Sequence, residues 1–478
     1  MNYKATMVDV IVVGAGLSGL QAAADIHRAG YSVLVLEAMD RVGGKTLSVK
    51  PAPGDGVVDL GAAWINDTSQ SRIFGLAKRF GLELIEQRRI GLCLRQKKNG
   101  RVDAYCSGFG EDSEDPGVLA LYQMVTRLAE SWLGPDAKAL DSVTFKALVQ
   151  ANCPGEAAMD AADLLTGALF GVGASEISSL YVIEHVKSCT GLENLLSDME
   201  DGGQYLRVRE GAQTFATRLA ELLPPGAIKL STPVERINQF PDLCAVETLT
   251  GAVFSSRKVI LSVPTTAYNT IDFNPSLPPA KQSLADNTII GYHAKMVLVF
   301  PAPWWREAGL SGAMESTKGP ISFTRDTCSE QDGHYSITCF MTGESGRRWS
   351  MLSAMKRREE VLRQFKEVFS TSRSGSMLAV VPAVPQPSEI VEKDWACDAW
   401  IRGGPMPVMP PFLLDEDGGR ALCKPFGHVH FVGAEMAAVW RGYMEGAVRS
   451  GERGAEEAGS ALRDGEMGME RREVRALL

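Results

Sequence analysis

The chain has 478 residues, 45% of them apolar and 22% charged, the make-up of an ordinary globular protein with two or three folding units of roughly 100–200 residues each. Its formal charge of −9 argues against a nucleic-acid partner, because phosphate backbones are held by a net basic face dense in Lys and Arg. The short basic clusters Lys97-Lys98, Arg347-Arg348 and Lys356-Arg357-Arg358 read as solvated faces.

Residues 8–13, "VDVIVV", are an apolar run suited to a buried parallel strand. Leu17 to Ala29 carry helix-forming alanines, and Gly30 stops them. "YSVLVLE" is then a second strand ending on Glu37, which makes a β-α-β unit. Between about residue 112 and 200 the texture turns helical. Leu121, Met124, Val125, Leu128 and Trp132 recur at helical spacing and are expected in a core, and "AADLLTGALF" and "SLYVIEHVKSC" are further helices. Strand character returns over residues 228–263 and 294–300. A helix is expected at 359–369, Pro-rich stretches punctuate the chain beyond it, and the charged final twenty or so residues are expected to fray.

Nine cysteines, at 93, 106, 153, 189, 244, 328, 339, 397 and 423, are scattered and form no C-x-x-C pair, which reads as reduced intracellular thiols. No N-terminal apolar segment with a cleavage site and no run of about 18 apolar residues occurs. The expectation is a soluble cytoplasmic protein with no membrane anchor and no metal site. Its closing "VRALL" is not a peroxisomal address of the S-K-L type.

Gly14, Gly16 and Gly19 fit G-x-G-x-x-G between a strand and a helix. The first glycine permits the tight turn, the second lets a pyrophosphate approach the backbone, and the third allows close helix–strand packing at a helix N-terminus that favours anions. Glu37 closes the next strand near the spacing at which an acid accepts hydrogen bonds from a ribose hydroxyl. An acid there disfavours a 2′-phosphate, so the ligand is FAD or NAD rather than NADP.

Two further stretches sharpen the choice. "EAMDRVGGKT" followed by "VVDLGAAWI" resembles the second signature of the flavin-containing amine oxidases, and "GAEMAAVWRGYMEGAVRSG" resembles their closing one. The likeness runs from Val8 to about Glu457 and is strongest to the monoamine oxidases, especially soluble fungal members. It implies an α/β fold in which a Rossmann-like FAD-binding domain carries an inserted substrate domain of mixed sheet and helices. The expected FAD-binding pieces are 1–85, 206–290 and 391–460. The expected substrate pieces are 86–205 and 291–390, and a flexible tail covers 461–478.

The resemblance also implies residues. Gly14, Ala15, Gly16, Ser18, Gly19, Glu37, Ala38, Arg41, Gly44 and Lys45 would meet the adenosine and phosphate half of FAD, with Lys45 standing where the family usually has arginine. Met39 occupies another position that is often arginine, so no ionic contact carries over there. Gly61, Ala62, Ala63 and Trp64 would pass beside the flavin ring, and Val234 would touch the adenosine half through its backbone. Trp395 would pack on the flavin, with a plain core tryptophan as the rival reading. Gly433, Glu435, Gly442, Tyr443 and Met444 would return the chain to the same cofactor. His428 and His430, on the strand leading there, read as structural.

For catalysis, Lys295 in "HAKMVLVFPAPWW" looks like the lysine that holds a water beside flavin N5. A charge on a strand apolar on both faces is otherwise unexpected, and the bland reading is an edge lysine reaching solvent. Tyr443 matches one wall of an aromatic cage about the amine. The family's cysteine and tyrosine after a glycine pair are replaced by Pro405 and Met406, so the second wall is unassigned and the FAD is expected to be non-covalent. Gln204 resembles a glutamine lining the substrate cavity, or is a surface residue. The implied reaction takes a primary amine to an imine and then a carbonyl compound and ammonia, while O2 becomes H2O2. A long-chain aliphatic amine is one substrate class, and a homo-oligomer is compatible with the reading. A flavin desaturase or isomerase, a polyamine or L-amino-acid oxidase, and a non-enzymatic FAD-bound scaffold are the alternatives.

Overall fold

A computed structural model describes residues 7–51, 56–105, 115–131, 136–370, 383–414 and 416–477. Trp132 and Cys106 lie outside them. The chain divides into one unit made of Met1–Thr46, Gln213–Thr288 and Asp415–Leu478, and another made of Leu47–Ala212 and Ile289–Leu414.

The first unit is organised by Met7–Val13, whose Val10, Ile11, Val12 and Val13 are buried on both faces, as a central parallel strand requires. Val33–Leu36 and Val253–Leu261 flank it in parallel, with Ile228–Lys229 beyond the former. Val429–Phe431 joins the far side of Val253–Leu261, also in parallel. An antiparallel ribbon, Cys244–Thr248 and then Val234–Gln239, extends from the first half of Val253–Leu261. The strand character expected from residue 228 onward is interrupted between Ile228–Lys229 and Val234–Gln239, where Ser231 turns left-handed at φ 49°.

Register aligns four strand ends: Val13 pairs with Leu36 and Leu261, and Leu261 with Phe431. Helix Leu17–Arg28 follows the first of these ends, and the long helix Met444–Leu477 follows the last. The two helices lie against each other. A Cβ at Gly451 would stand 2.4 Å from the Ser18 carbonyl oxygen, so only glycine lets the backbones approach this closely. The fraying expected beyond residue 461 is replaced by helix running on to Leu477.

Elsewhere in this unit, Lys281 is buried on helix Pro279–Asn287. Its ammonium donates to the carbonyls of Ala421 (2.6 Å) and Leu422 (3.2 Å) and lies 3.6 Å from the centre of the Phe431 ring. It thereby caps the C-terminal turn of helix Glu416–Cys423. Burial pushes its pKa down to about 7.

The second unit holds a seven-stranded sheet in the order Glu389–Asp394, His293–Phe300, Tyr335–Thr342, Phe323–Asp326, Leu310–Ser316, Leu92–Gln96, Val102–Tyr105. One face of His293–Phe300 presents Ala294, Met296 and Leu298 to a core that includes Trp305, Phe365 and Phe369 from the neighbouring helices. The other presents Val297 and Val299 to Val58 and Leu60. Leu121, Met124 and Val125 are buried on helix Pro116–Glu130, in the expected helical stretch. Arg357 is not on a solvated face as expected: it meets Glu392 at 2.7 Å beneath the sheet's edge strand.

The domain boundaries differ from those expected. Residues 47–85, 206–212 and 391–414 belong to the second unit, because Trp64–Ile65 and Leu84–Glu86 both pair with Leu206–Val208, and Glu389–Asp394 pairs with the strand of Lys295. Among the described residues no helix is long and apolar enough to cross a membrane, and no group of three or more side chains is placed to hold a metal ion.

Candidate active site

The expected site residues fall into two sets, each within its own unit. In the first unit they gather where the four aligned strands end. The Gly14–Gly16 turn follows Val13, and the Glu37 carboxylate reaches back over it. One oxygen accepts the Ala15 N–H at 2.5 Å and the other the Met39 N–H at 2.8 Å. Burial pushes the Glu37 carboxyl up, and those N–H groups together with Arg41 draw it part of the way back.

The second glycine pair forms the other wall of the same turn. Gly43 N–H donates to the Ala15 carbonyl at 2.8 Å, and Arg41 folds this loop by donating to the carbonyls of Gly44 (2.8 Å) and Thr46 (3.0 Å). The Thr232 N–H reaches the Glu37 carbonyl at 2.7 Å, which brings the approach to Val234 alongside Glu37 and Ala38.

The closing segment arrives from Phe431. Gly433 leads into a short turn in which Glu435 is buried and accepts from Thr265 N–H at 3.2 Å. Lys45, whose ammonium burial pushes down, is partly restored by the Glu435 charge, so the second and closing signatures meet here. Gly442 N–H donates to the Ala434 carbonyl at 2.9 Å. Tyr443 then sets its half-buried ring edge-on to Trp440, centroids 5.0 Å apart, before Met444 opens the last helix. His428 is a structural residue: its Nδ1 faces Lys258 Nζ at 3.0 Å, and its Nε2 faces the carbonyls of Phe240 and Pro241 at 3.1 Å.

This cradle fits a dinucleotide. At Gly19 the protein itself demands glycine, since a Cβ would stand 2.1 Å from the Gly14 carbonyl oxygen. At Gly16 it does not. The backbone there is extended (φ −73°), and a Cβ would meet nothing within 4 Å. Gly16 sits at the start of helix Leu17–Arg28 with no side-chain cap, so the open space lies where a pyrophosphate would accept the helix's unpaired N–H groups.

In the second unit Lys295 is the centre. Its strand is interior to the sheet, with partners on both sides, so the edge-lysine reading fails and the side chain is only 6% exposed. Nζ donates to the carbonyls of Gly61 (2.5 Å) and Asp59 (3.0 Å) and lies 5.0 Å from the Phe340 ring and 5.3 Å from the Trp64 ring. Burial pushes its pKa down to about 8, opposed by Asp59 and aided by Arg207.

The segment from Gly61 through Ala62 and Ala63 to Trp64 is thus fixed to Lys295 by its first residue. Leu60 is held next to it, because its carbonyl accepts the buried Trp395 indole N–H at 2.9 Å. Trp64 gives its own indole N–H to Gln87 at 2.9 Å.

Gln204 stands just before Leu206–Val208, the strand that pairs with Trp64–Ile65. Its amide donates to the Leu195 carbonyl at 3.0 Å, and its buried Oε1 has no partner among the described residues. Met406, at the place where a second cage wall was sought, is buried, with the Tyr181 hydroxyl 3.9 Å from its sulfur. Asp59, Arg207 and Phe340 surround Lys295 or act on its charge, and sequence reasoning does not single them out. Only Asp59 carries a signal, as the acid inside "VVDLGAAWI".

Known proteins resemble this chain in sequence and in structure. The family model described as flavin containing amine oxidoreductase matches residues 17–458. The chain is 31% identical over 461 residues to amine oxidase [flavin-containing] B of Canis lupus familiaris, covering 94% of this chain and 85% of that protein. It is 28% identical over 461 residues to a probable flavin-containing monoamine oxidase A of Dictyostelium discoideum, covering 95% and 97%. Among solved structures it resembles cyclohexylamine oxidase from Brevibacterium oxydans, with a TM-score of 0.86 and 30% identity over 96% of this chain and 100% of that one. It also resembles a putrescine oxidase bound to putrescine, with a TM-score of 0.85, 26% identity and 95% and 99% coverage.

Proposed function

The chain belongs to the flavin-containing amine oxidoreductase family, and from that premise we propose that it oxidises a primary amine to an imine, which water hydrolyses to a carbonyl compound and ammonia as O2 becomes H2O2. It is a flavin-dependent amine oxidase, and FAD is its cofactor. When bound, FAD takes the two electrons and the hydrogen from the amine carbon and passes the electrons to oxygen.

The observation that carries the reading is the buried Lys295 ammonium. A lysine enclosed by Trp64 and Phe340, with two N–H groups committed to backbone carbonyls, is costly unless its charge or its remaining N–H is used. We assign that N–H to a water at the reacting centre. Gln204 offers its unpaired carbonyl oxygen to the substrate, and in the first unit the family resemblance would make Tyr443 an aromatic wall.

The charged side chains close to Phe340 support an apolar substrate tail. Phe340 stacks on Phe323 at 4.2 Å, and Arg325, two residues along from Phe323, pairs with Asp198 at 3.3 Å. Glu315 is met by Arg95 at 3.3 Å. A diamine would be expected to use an unopposed acid, whereas Asp198 and Glu315 are each answered by an arginine. A monoamine with an aliphatic chain fits better, and the FAD is non-covalent because Pro405 offers no nucleophile.

Peroxide release from a panel of aliphatic monoamines, diamines and amino acids tests the substrate class. Turnover is expected with the monoamines, and release with none of the panel would sink the oxidase reaction. Acid precipitation should leave all the yellow colour in the supernatant as free FAD. Flavin retained on a peptide would overturn the non-covalent assignment.

A further inference from the structure

Arg207, on Leu206–Val208, is 7% exposed. Its terminal nitrogens donate to the carbonyls of Cys328 (2.6 Å) and Thr327 (3.3 Å), and its Nε–H has no partner among the described residues. A buried guanidinium N–H left unpaired costs more than an ordinary hydrogen bond returns. That N–H belongs to a side chain lining a cavity of about 10 Å³, together with Asp59, Trp64, Lys295, Thr327 and Thr338. The volume is about what one buried water needs, and such waters make roughly three hydrogen bonds.

The lining supplies three. Asp59 Oδ1 already accepts from Ser48 Oγ (2.6 Å) and Ala212 N–H (2.9 Å), leaving Oδ2 as an acceptor. The hydroxyls of Thr338 and Thr327 are 2.9 Å apart, as are those of Thr327 and Ser336, and Ser336 donates onward to the Thr327 carbonyl at 3.2 Å. With protons running in that direction the Thr338 oxygen keeps a lone pair. One water would accept from Arg207 Nε–H and donate to Asp59 Oδ2 and Thr338 Oγ1.

We propose that this cavity is a site for one ordered water joining Arg207 to Asp59, and that through it Arg207 acts as a positioning residue for Lys295. The proposal rests on the role given to Lys295 above. Asp59 touches Lys295 twice over, through its carbonyl and as its counter-charge, and the water would hold its second carboxylate oxygen as Ser48 and Ala212 hold the first.

The other charged groups near Lys295 are occupied or neutral. His293, two residues along on the same face, is pushed by burial to about 4. Lys393, opposite Lys295 on the edge strand, gives its ammonium to Asp398 at 2.9 Å. On the other neighbouring strand Phe340 faces it. Asp59 and Arg207 therefore set the balance, one favouring the ammonium and the other opposing it.

The test uses the holoenzyme with FAD. Crystals at high resolution should show a single density peak in the cavity, absent from Arg207→Met. An empty cavity in the parent would overturn the water site. The pH profile of flavin reoxidation should shift up by about one unit in Arg207→Met and down in Asp59→Asn. Shifts in one common direction, or rate changes with no shift, would reduce Arg207 to a structural role. A Lys295→Met control separates the two ideas: if it keeps the parent's pH transition, the role of Lys295 itself fails, while the crystallographic result still decides the water.

Discussion

Where Met7–Val13 and Val33–Leu36 end, recognition is left to the backbone. Side chains are absent at Gly14, Gly16 and Gly44, and Glu37 is held by peptide N–H groups. Along His293–Phe300 the reverse holds: an ammonium and a guanidinium are buried beside a carboxylate, and backbone carbonyls serve to hold the two cations in place. At a close approach such as Gly19 a backbone cradle tolerates no added atom. The charged pocket can lose a group and stay folded, but every charge in it is tuned by the others. The first kind should fail outright when altered, and the second should fail by degree.

Gly19→Val breaks the comparison at its most brittle point. The new Cβ would meet the Gly14 carbonyl oxygen at 2.1 Å, so the turn cannot close, and the purified protein is expected to carry almost no flavin by its visible absorbance. A fully yellow variant would show that the cradle is not the FAD site.

Lys295→Met sits in the middle. FAD content should be unchanged, while stopped-flow reoxidation by oxygen slows on the order of 100-fold, well beyond any slowing of reduction by substrate. Equal slowing of both steps would remove the specific role.

The smallest effect sharpens the contrast with a buried charge outside the expected site residues. The Lys281 amine is neutral in the folded protein above about pH 7, whereas the unfolded chain stays protonated to about 10.4. Between those limits the unfolded state binds the extra proton, so stability gains with rising pH. Lys281→Met lacks that gain. The parent's melting temperature should climb relative to the variant's by about 2 °C or less from about pH 6.5 to 9, and parallel curves would assign Lys281 a fixed ammonium.

Legibility in the sequence followed the range of the interaction. The turn at Gly14, the strand ending on Glu37 and the helix after Gly16 are set by neighbours within about thirty residues, and their spacing displays them. Lys295 was visible as a misfit, a cation among Met, Val and Leu, but its partners were not: Asp59 is 236 positions away and Arg207 comes from a third strand. Met406 shows the limit of position matching. It stands where an aromatic wall was sought, yet the chain turns it inward against Tyr181. The boundaries near 85 and 390 went astray for a related reason, since two-residue strands such as Trp64–Ile65 declare their allegiance only through the partner they find.

The contact between Gly451 and Ser18 has a consequence for the order in which the molecule is made. A ribosome releases the first helix some 433 residues (451 − 18) before its covering helix, a delay of roughly 20–90 s at ordinary elongation speeds. During that interval the nascent β-α-β unit lacks both the strand Val429–Phe431 and the glycine-bearing helix that shields its own. The cradle is therefore completed only once Val429–Phe431 and the helix bearing Gly451 have been made.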